Sequence, residues 1–340
     1  MSRFVRRTAV ALLLVGIALL IYALADVALL IFGAALVAVI LRALAAPLRR
    51  YLHLPQTAAV LVALLLIVGV FAAAGTLFGM QMRAEFSGLA ERLPEAWKQV
   101  QARIAAMPFG DEILAGLNGF QPDASAMASR VAAFLTTLVG VISNFILVLF
   151  AGVYLALSPG LYREGVVKLF PKARAEEVAS ATGNSGRALR LWLLGQLVSM
   201  TVVGILTAGG LWLAGVPSAL ALGLIAGLAE FVPLVGPVAA AIPGIMVALT
   251  QDTSTALWAL AVYVVVQQVE GNILTPMVAK KAVSVPPALT LVGVFALGAL
   301  FGPLGVLFSA PLVVLIFVLV KQLYVRDALG HDTVVPGEDK

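Results

Sequence analysis

The chain has 340 residues, of which 62% are hydrophobic and 11% are charged, and its mean hydropathy is +1.07, whereas a soluble domain is about 45–50% apolar and about 25% charged. This composition excludes a soluble globular protein, including most nucleotide-binding enzymes and the nucleic-acid binders that act through a basic surface. The net charge of +5 is therefore expected to distinguish the two sides of a membrane, while the lack of cysteine and the presence of only two histidines argue against thiolate chemistry and a metal site.

Long uncharged stretches predict membrane-spanning helices. A charge near the bilayer centre is costly, and a spanning helix needs about 20 apolar residues. The uncharged stretches are residues 8–25, 27–41, 51–82, 131–162, 191–229, 231–251, 253–269 and 282–320. They predict an all-α polytopic membrane protein with about six spanning helices.

Residues 1–80 are predicted to form the N-terminal transmembrane helices. Two apolar runs in this region are separated only by Asp26; three arginines precede the first run and three follow the second. Because basic residues collect on the cytoplasmic side, we expect two spans joined by a tight turn near Asp26, with the N-terminus in the cytoplasm.

Residues 81–130 are predicted to lie outside, because five basic and six acidic residues give them a net charge of −1. Apolar side chains recur there at three- and four-residue steps, which predicts amphipathic extracytoplasmic helices. The stripe comprises Phe86, Leu89, Leu93, Trp97, Val100 and Ile104. It could lie on the membrane surface, pack on the chain's own helices or pack on a neighbouring subunit.

Residues 131–190 are predicted to hold one transmembrane helix and a cytoplasmic linker. The linker, residues 158–190, has six basic and three acidic residues, a net charge of +3, and belongs inside. Residues 191–325 are predicted to form a core with two hairpins, interpreted below as a transport core. Residues 326–340 are predicted to be a cytoplasmic tail.

The charge pattern of the core requires an even number of crossings between Arg190 and Lys280, since both belong on the cytoplasmic side. Residues 192–212, with a tryptophan at each end, are long enough to span the bilayer outwards, and residues 253–269 return. Residues 219–250 must therefore begin and end outside, and helix-breaking residues near their middle predict a re-entrant hairpin. These residues are Pro233, Gly236, Pro237 and Pro243.

The same reasoning predicts a second hairpin in residues 282–320, an uncharged run with cytoplasmic lysines at both ends. Its breaking residues are Gly302, Pro303, Gly305 and Pro311. The first arm of each hairpin carries a Gly-xxx-Gly pair, Gly223 with Gly227 and Gly298 with Gly302. We therefore expect an inverted repeat of residues 191–250 and 253–320. Broken helices in corresponding halves point to a transport site near the midplane, because unwound backbone offers N–H and C=O groups to a solute.

Few charged residues remain in the core. Glu230 lies just before the break of the first hairpin, and Glu270 lies near the end of a span. The polar neighbours of Glu270 are Gln267, Gln268 and Asn272. An intramembrane carboxylate can hold a cation, exchange a proton or bind a polar solute. Alternatively, Glu270 and Asn272 satisfy backbone groups that are freed at a broken helix end.

Sequence motifs do not support an enzyme. The sequence contains no HExxH metalloprotease motif, no Gly-x-Ser-x-Gly elbow and no GxxxxGK[ST] phosphate loop. Neither a membrane protease nor an ATP-driven pump is therefore expected.

Five motifs resemble the AI-2E family of bacterial inner-membrane proteins. They are LLGQ (193–196), GVPSALALGLIAG (215–227), FVPLVGPVAAAIP (231–243), QQVEGNILTPMV (267–278) and GALFGPLGVLFSAPL (298–312). The resemblance runs over most of the chain and is specific in its C-terminal half, whereas in residues 1–130 only the layout of spans matches. Ala279 stands where the family usually has glycine.

The resemblance implies a secondary transporter of the bacterial inner membrane that forms homo-oligomers. Family members have been associated with autoinducer-2 export, with sodium or lithium/proton antiport and with general efflux. The family motif residues in this chain are Gln196, Pro233, Gly236, Pro237, Pro243, Gln267, Glu270, Asn272, Pro276, Gly302, Pro303, Gly305 and Pro311.

Three functions remain open at the level of sequence. The leading hypothesis is an exporter of a small polar metabolite such as autoinducer-2, with the two hairpins forming the site and Glu270 coupling movement to protons or sodium. The first alternative is a cation/proton antiporter without an organic substrate. The second is a non-transporting membrane scaffold. Apart from a coupling ion no cofactor is expected, and the expected partners are the bilayer, the solute and further copies of the chain.

Overall fold

The computed structural model describes residues 3–73, 75–76, 146–249, 251–279, 283 and 285–338. Every regular element within these ranges is helical. Five of the described helices are long and apolar enough to cross a membrane, and a bent pair would make a sixth. The predicted all-α polytopic class is confirmed. The predicted segment 81–130 lies outside the described residues.

Helix α1 is longer than the sequence predicts. It runs from Arg3 to Leu52 without interruption, which is about 75 Å at 1.5 Å per residue. The tight turn expected near Asp26 is therefore wrong. Residues 22–27 contain no glycine or proline to stop a helix, and a single charged residue does not end one. Within α1, Val27–Leu52 is long and apolar enough to span a membrane.

Helices α2 (Gln56–Ala73) and α3 (Ile146–Leu157) pack on α1 through small side chains. The buried alanines of this contact are Ala38, Ala45, Ala59, Ala63 and Ala156. Helix α4 (Pro159–Lys168) leaves α3 at an angle of 91°. Pro159 begins α4, and its fixed φ suits the first turn of a new helix. The bend falls where the sequence predicts the end of a span.

Helix α5 (Ala175–Leu213) is the central element of the core. It follows a short 3₁₀ turn (Lys172–Arg174) and has 39 residues, about twice the number that a bilayer requires. Its first part carries the predicted cytoplasmic charges. Its second part packs against the hairpin and span that follow it.

Residues 219–249 form the first predicted hairpin. Helix α6 (Ala219–Ala229) and helix α7 (Val235–Leu249) are separated by residues 230–234. The beginning of α6 and the end of α7 share one buried apolar cluster, so the two arms are antiparallel. Glycines bring α6 close to α5: the main chains of Gly223 and Gly227 pack on Gly204. The first Gly-xxx-Gly pair therefore serves close helix packing.

Helix α8 (Thr253–Val269) is capped by the preceding residue, Asp252, whose carboxylate accepts hydrogen bonds of 2.8 Å from the backbone N–H and the hydroxyl of Thr255. These bonds lower the pKa of Asp252, and they satisfy part of the helix N-terminus. After α8 the chain continues as a π-helix (Glu270–Leu274) and a short helix α9 (Thr275–Ala279).

Helix α10 (Pro287–Leu319) contains the second predicted hairpin. Its backbone leaves the helical conformation at Gly302, where φ is 60° and ψ is −143°. Gly293 in the first arm faces Val313 in the second, and Gly298 faces Val306. These contacts fold the two arms against each other around Gly302. Gly302 is therefore the turn itself rather than part of a packing stripe in the first arm.

The C-terminal residues pack back on the first part of α5. A second π-helix (Val320–Ala328) extends α10. Beyond it, the guanidinium of Arg187 on α5 donates a hydrogen bond of 2.6 Å to the carbonyl of Gly337. Val335 is only 1% exposed. The predicted tail is thus attached to the helical core near its described end, at Val335 and Gly337.

Candidate functional site

Three segments supply the candidate site: the middle of α5, the break of the first hairpin and the π-helix after α8. Each of these segments carries polar groups among helices that are otherwise apolar. In each of them the backbone is irregular or a small residue allows close packing. Such interruptions are tolerated at membrane depth where the protein itself surrounds them.

The break of the first hairpin is attached to α5. The side-chain amide of Gln196 donates a hydrogen bond of 2.6 Å to the carbonyl of Glu230. The rings of Trp192 and Phe231 meet edge to face, with 6.1 Å between their centroids. Since Gln196 is one helical turn from Trp192, the break lies nearer to the Trp192 end of the span than to its middle. The break, which the sequence predicts near the midplane, therefore lies closer to the Trp192 end of the span.

Glu230 is buried without a full set of partners. Its side chain is 3% exposed, and its Oε2 atom has no hydrogen-bond partner among the described residues. Burying an ionised carboxylate without a partner is strongly unfavourable. Glu230 also lies within electrostatic range of Glu270. A cation or a proton taken up between these two carboxylates would relieve their repulsion.

Glu270 is held by neighbouring side chains. Its Oε1 atom accepts a hydrogen bond of 2.7 Å from the hydroxyl of Thr275, and its Oε2 atom accepts one of 3.2 Å from the amide of Gln267. Asn272 pairs instead with Gln268, at 3.2 Å. Among the described residues, Glu270 thus bonds to side chains rather than capping the backbone of the broken helix end.

The π-helix explains how the chain accommodates Pro276. Proline lacks an N–H and its ring collides with the preceding turn of an α-helix. Immediately before it, the backbone N–H of Thr275 bonds to the carbonyl of Glu270, five residues earlier, which widens the turn. Single wide turns of this kind are frequent at functional sites. The same turn brings the Thr275 hydroxyl to the Glu270 carboxylate.

The predicted breaking residues occupy several kinds of position. Pro233 lies in the break of the first hairpin, and Pro303 follows the turn of the second at Gly302. Pro237 lies in the first turn of α7, where a missing N–H is tolerated. Pro243 and Pro311 lie inside α7 and α10, which continue past them.

The two hairpins share one close approach. A Cβ atom at Gly236 would collide with the carbonyl oxygen of Ala229, and a Cβ atom at Gly305 would collide with that of Leu297. In each hairpin, therefore, a glycine shortly after the break lets the second arm touch the backbone of the first. This correspondence agrees with the predicted relation between the two halves, while their opposite orientation in the membrane remains a prediction.

Sequence reasoning missed four residues near these elements. Thr275 bonds to Glu270. A spacing of five residues predicts such a contact only within a π-helix, and the sequence alone did not indicate one. Leu234 has φ of 71°, an unusual value for a bulky residue that stores strain at the break. Thr207 and Tyr263 have buried hydroxyls without hydrogen-bond partners among the described residues. Within the same ranges, no three acidic or histidine side chains are grouped as metal ligands.

Comparison with known proteins gives a consistent result. The family model described as AI-2E family transporter matches residues 11–325. The putative transport protein YueF of Bacillus subtilis is 27% identical over 288 residues, covering 80% of this chain and 77% of the relative. The AI-2 transport protein TqsA of Escherichia coli is 26% identical over 205 residues, covering 59% of this chain and 58% of the relative.

Proposed function

Because this chain belongs to the AI-2E family of membrane transporters, we propose that it exports a small polar metabolite, such as autoinducer-2, across the bacterial inner membrane in exchange for protons or sodium ions. The breaks of the two hairpins form part of the path, and Glu270 is the coupling residue. TqsA, which is named for autoinducer-2 transport, supports this choice of solute. Assembly as a homo-oligomer belongs to the same proposal.

One observation carries the proposal: a buried carboxylate at the break of the first hairpin lies within electrostatic range of a second carboxylate in the π-helix after α8. Glu230 is buried with a free oxygen atom, and Glu270 is half-buried and hydrogen-bonded by Thr275. Two neighbouring carboxylates are stable when a cation or a proton is bound between them. When it leaves, their repulsion favours a structural change that separates the charges. That alternation is what coupling to an ion gradient requires.

The side-chain amides beside the carboxylates favour an organic solute. Gln267, Gln268 and Asn272 are exposed and offer donors and acceptors next to Glu270. A hydroxylated metabolite needs both kinds of group. The alternative, a sodium or lithium/proton antiporter, is favoured by the carboxylate pair itself, which would suffice for ion exchange.

Glu270→Gln tests the coupling role. The amide keeps the size of the side chain and removes its charge, so we expect ion-coupled flux in proteoliposomes to fall by about tenfold or more. Glu177→Gln, in the exposed first turn of α5, is the matched control and should leave flux unchanged. Equal flux in wild type and Glu270→Gln would contradict the coupling role.

Ion flux without solute separates the two transport functions. A sodium gradient is imposed on proteoliposomes with and without autoinducer-2, and its decay is followed. Decay that requires the solute supports the exporter, whereas decay without it supports the antiporter. If the sodium gradient decays neither with nor without the solute, the result supports the scaffold. In that case alanine at Gln196 or Gln267 should also leave the measured flux unchanged.

A further inference from the structure

Four arginines from two distant parts of the chain lie on two helices that pack against each other. Arg42, Arg49 and Arg50 lie in the last turns of α1, and Arg190 lies on α5. Apolar side chains of α1 and α5 share one buried cluster, which holds the two helices together. As a result, Arg42 is within electrostatic range of both Arg49 and Arg190. We call these four residues the arginine cluster.

The arginine cluster has no acidic partner in the part of the chain that the structure describes. The ion pairs found there join other residues: Lys168 with Glu164, and Arg326 with Asp327 and Glu338. Like charges in proximity repel one another, and a bound anion offsets this repulsion. The positive-inside tendency accounts for arginines on the cytoplasmic side. It does not require that residues about 150 positions apart in sequence converge.

A wide, open cavity of about 490 Å³ lies at the Arg49–Arg50 end of the arginine cluster, and Arg42 and Arg190 are not among the residues that line it. It is lined by Arg49 and Arg50, by His53 in the turn after α1, and by the apolar side chains of Ala46 and Leu54. Its wall therefore combines cationic donors with apolar surface. A ligand with an anionic group next to hydrocarbon would satisfy both parts of this wall.

Aromatic side chains flank the arginine cluster on both helices. Trp192 follows Arg190 by two residues, and Tyr51, which follows Arg50, is 74% exposed. Tryptophan and tyrosine collect at the boundary between the hydrocarbon core and water. Phosphate groups of phospholipids lie at the same depth.

We propose that the arginine cluster and its cavity bind the phosphate headgroup of an anionic phospholipid. Guanidinium groups bind phosphate oxygens through paired, charge-assisted hydrogen bonds. Basic sites between transmembrane helices on the cytoplasmic side are suited to such headgroups. The bound lipid joins α1 to α5, so it stabilises the contact between the N-terminal helices and the core.

Lipid binding to the purified full-length chain tests this site. Native mass spectrometry counts phosphatidylglycerol molecules bound to folded protein, and a titration gives the affinity. We expect Arg42→Gln and Arg190→Gln each to weaken this affinity by about fivefold. Arg174→Gln, an exposed arginine outside the cluster, is the control and should bind as wild type does. Because only folded protein is counted, a loss of stability does not imitate a loss of binding.

Two further ligands identify what the site recognises. Phosphatidylcholine, which carries a compensating positive charge, should bind more weakly and should not depend on Arg42 or Arg190. Inorganic phosphate should not displace phosphatidylglycerol. Displacement by inorganic phosphate would assign the site to a free anion, and wild-type phosphatidylglycerol affinity in both arginine variants would remove the site; either result overturns the proposal.

Discussion

Gly302 determines the path of the chain at the second hairpin. Its φ of 60° with ψ of −143° is available to glycine but rarely to residues with a Cβ atom. In the break of the first hairpin the residue with positive φ is Leu234, at 71°, and there the chain tolerates a bulky residue. Each break therefore contains one residue with positive φ, but of a different type, which a sequence motif alone does not reveal.

Substitution at Gly302 should destabilise the protein through its backbone. We expect Gly302→Ala to lower the free energy of unfolding by about 1–3 kcal/mol, because alanine disfavours this conformation. Nothing lies within 4 Å of a Cβ atom at this position, so a steric clash does not contribute. Thermal unfolding in detergent measures the change.

Gly209→Ala provides the matched control for Gly302→Ala. Gly209 lies inside α5, also with open space around its Cβ position. There alanine favours the helix, so stability should stay the same or rise by about 0.5–1 kcal/mol. Equal destabilisation by both substitutions would show that the conformation of Gly302 is not the cause.

At the scale of elements, the contact between α5 and α6 positions the break of the first hairpin. The two helices approach through glycines until the backbone of Gly223 touches Ala208 and Gly204. This approach carries Glu230 to Gln196 at the end of α6. The glycine pair could be identified from the sequence, but its partner helix could not.

Gly223→Ala should weaken the α5–α6 contact. Its Cβ atom would lie 2.5 Å from the Cβ of Ala208 and 2.6 Å from the carbonyl oxygen of Gly204. The helices must move apart to accommodate the methyl group, which is expected to lower the free energy of unfolding by about 1–3 kcal/mol. The same movement displaces Glu230 and should reduce transport. Thermal unfolding and flux in proteoliposomes measure the two effects.

Gly186→Ala controls for the general effect of alanine in these helices. Gly186 lies on α5, where a Cβ atom would meet nothing within 4 Å. We expect wild-type stability and flux. The packing role of Gly223 would be refuted by a Gly223→Ala protein that is as stable and active as Gly186→Ala.

At the scale of the whole molecule, the predicted orientation of the core follows from the positions of its basic residues and from the even number of membrane crossings between them. Lys280 is predicted inside and Thr253 outside, with the span α8 between them. The chain has no cysteine, so a single introduced thiol reports one position without background. This makes the predicted inverted repeat directly testable.

Single-cysteine labelling measures this orientation in intact cells. A membrane-impermeant maleimide added from outside should label Thr253→Cys and leave Lys280→Cys unlabelled until the membrane is permeabilised. The reverse pattern would overturn both the orientation and the opposite insertion of the two hairpins. Retained transport activity confirms that each variant keeps the native topology.

The sequence by itself determined the membrane class, both hairpins and the polar stretch around Glu270. It could do so because lipid demands long apolar runs and because proline and glycine interrupt helices locally. It did not show that the helix continues through this polar stretch as a π-helix. The sequence interpretation was wrong at Asp26, where charge separates two runs but nothing stops the helix.

Only the tertiary structure decided which polar groups meet. The bond from Gln196 to Glu230 joins residues distant in sequence, and so do the electrostatic interactions of Glu230 with Glu270 and of Arg42 with Arg190. Helices that are apolar on every face carry little information about their neighbours. Their partners are selected by small residues that allow close approach and by the few polar groups that need each other.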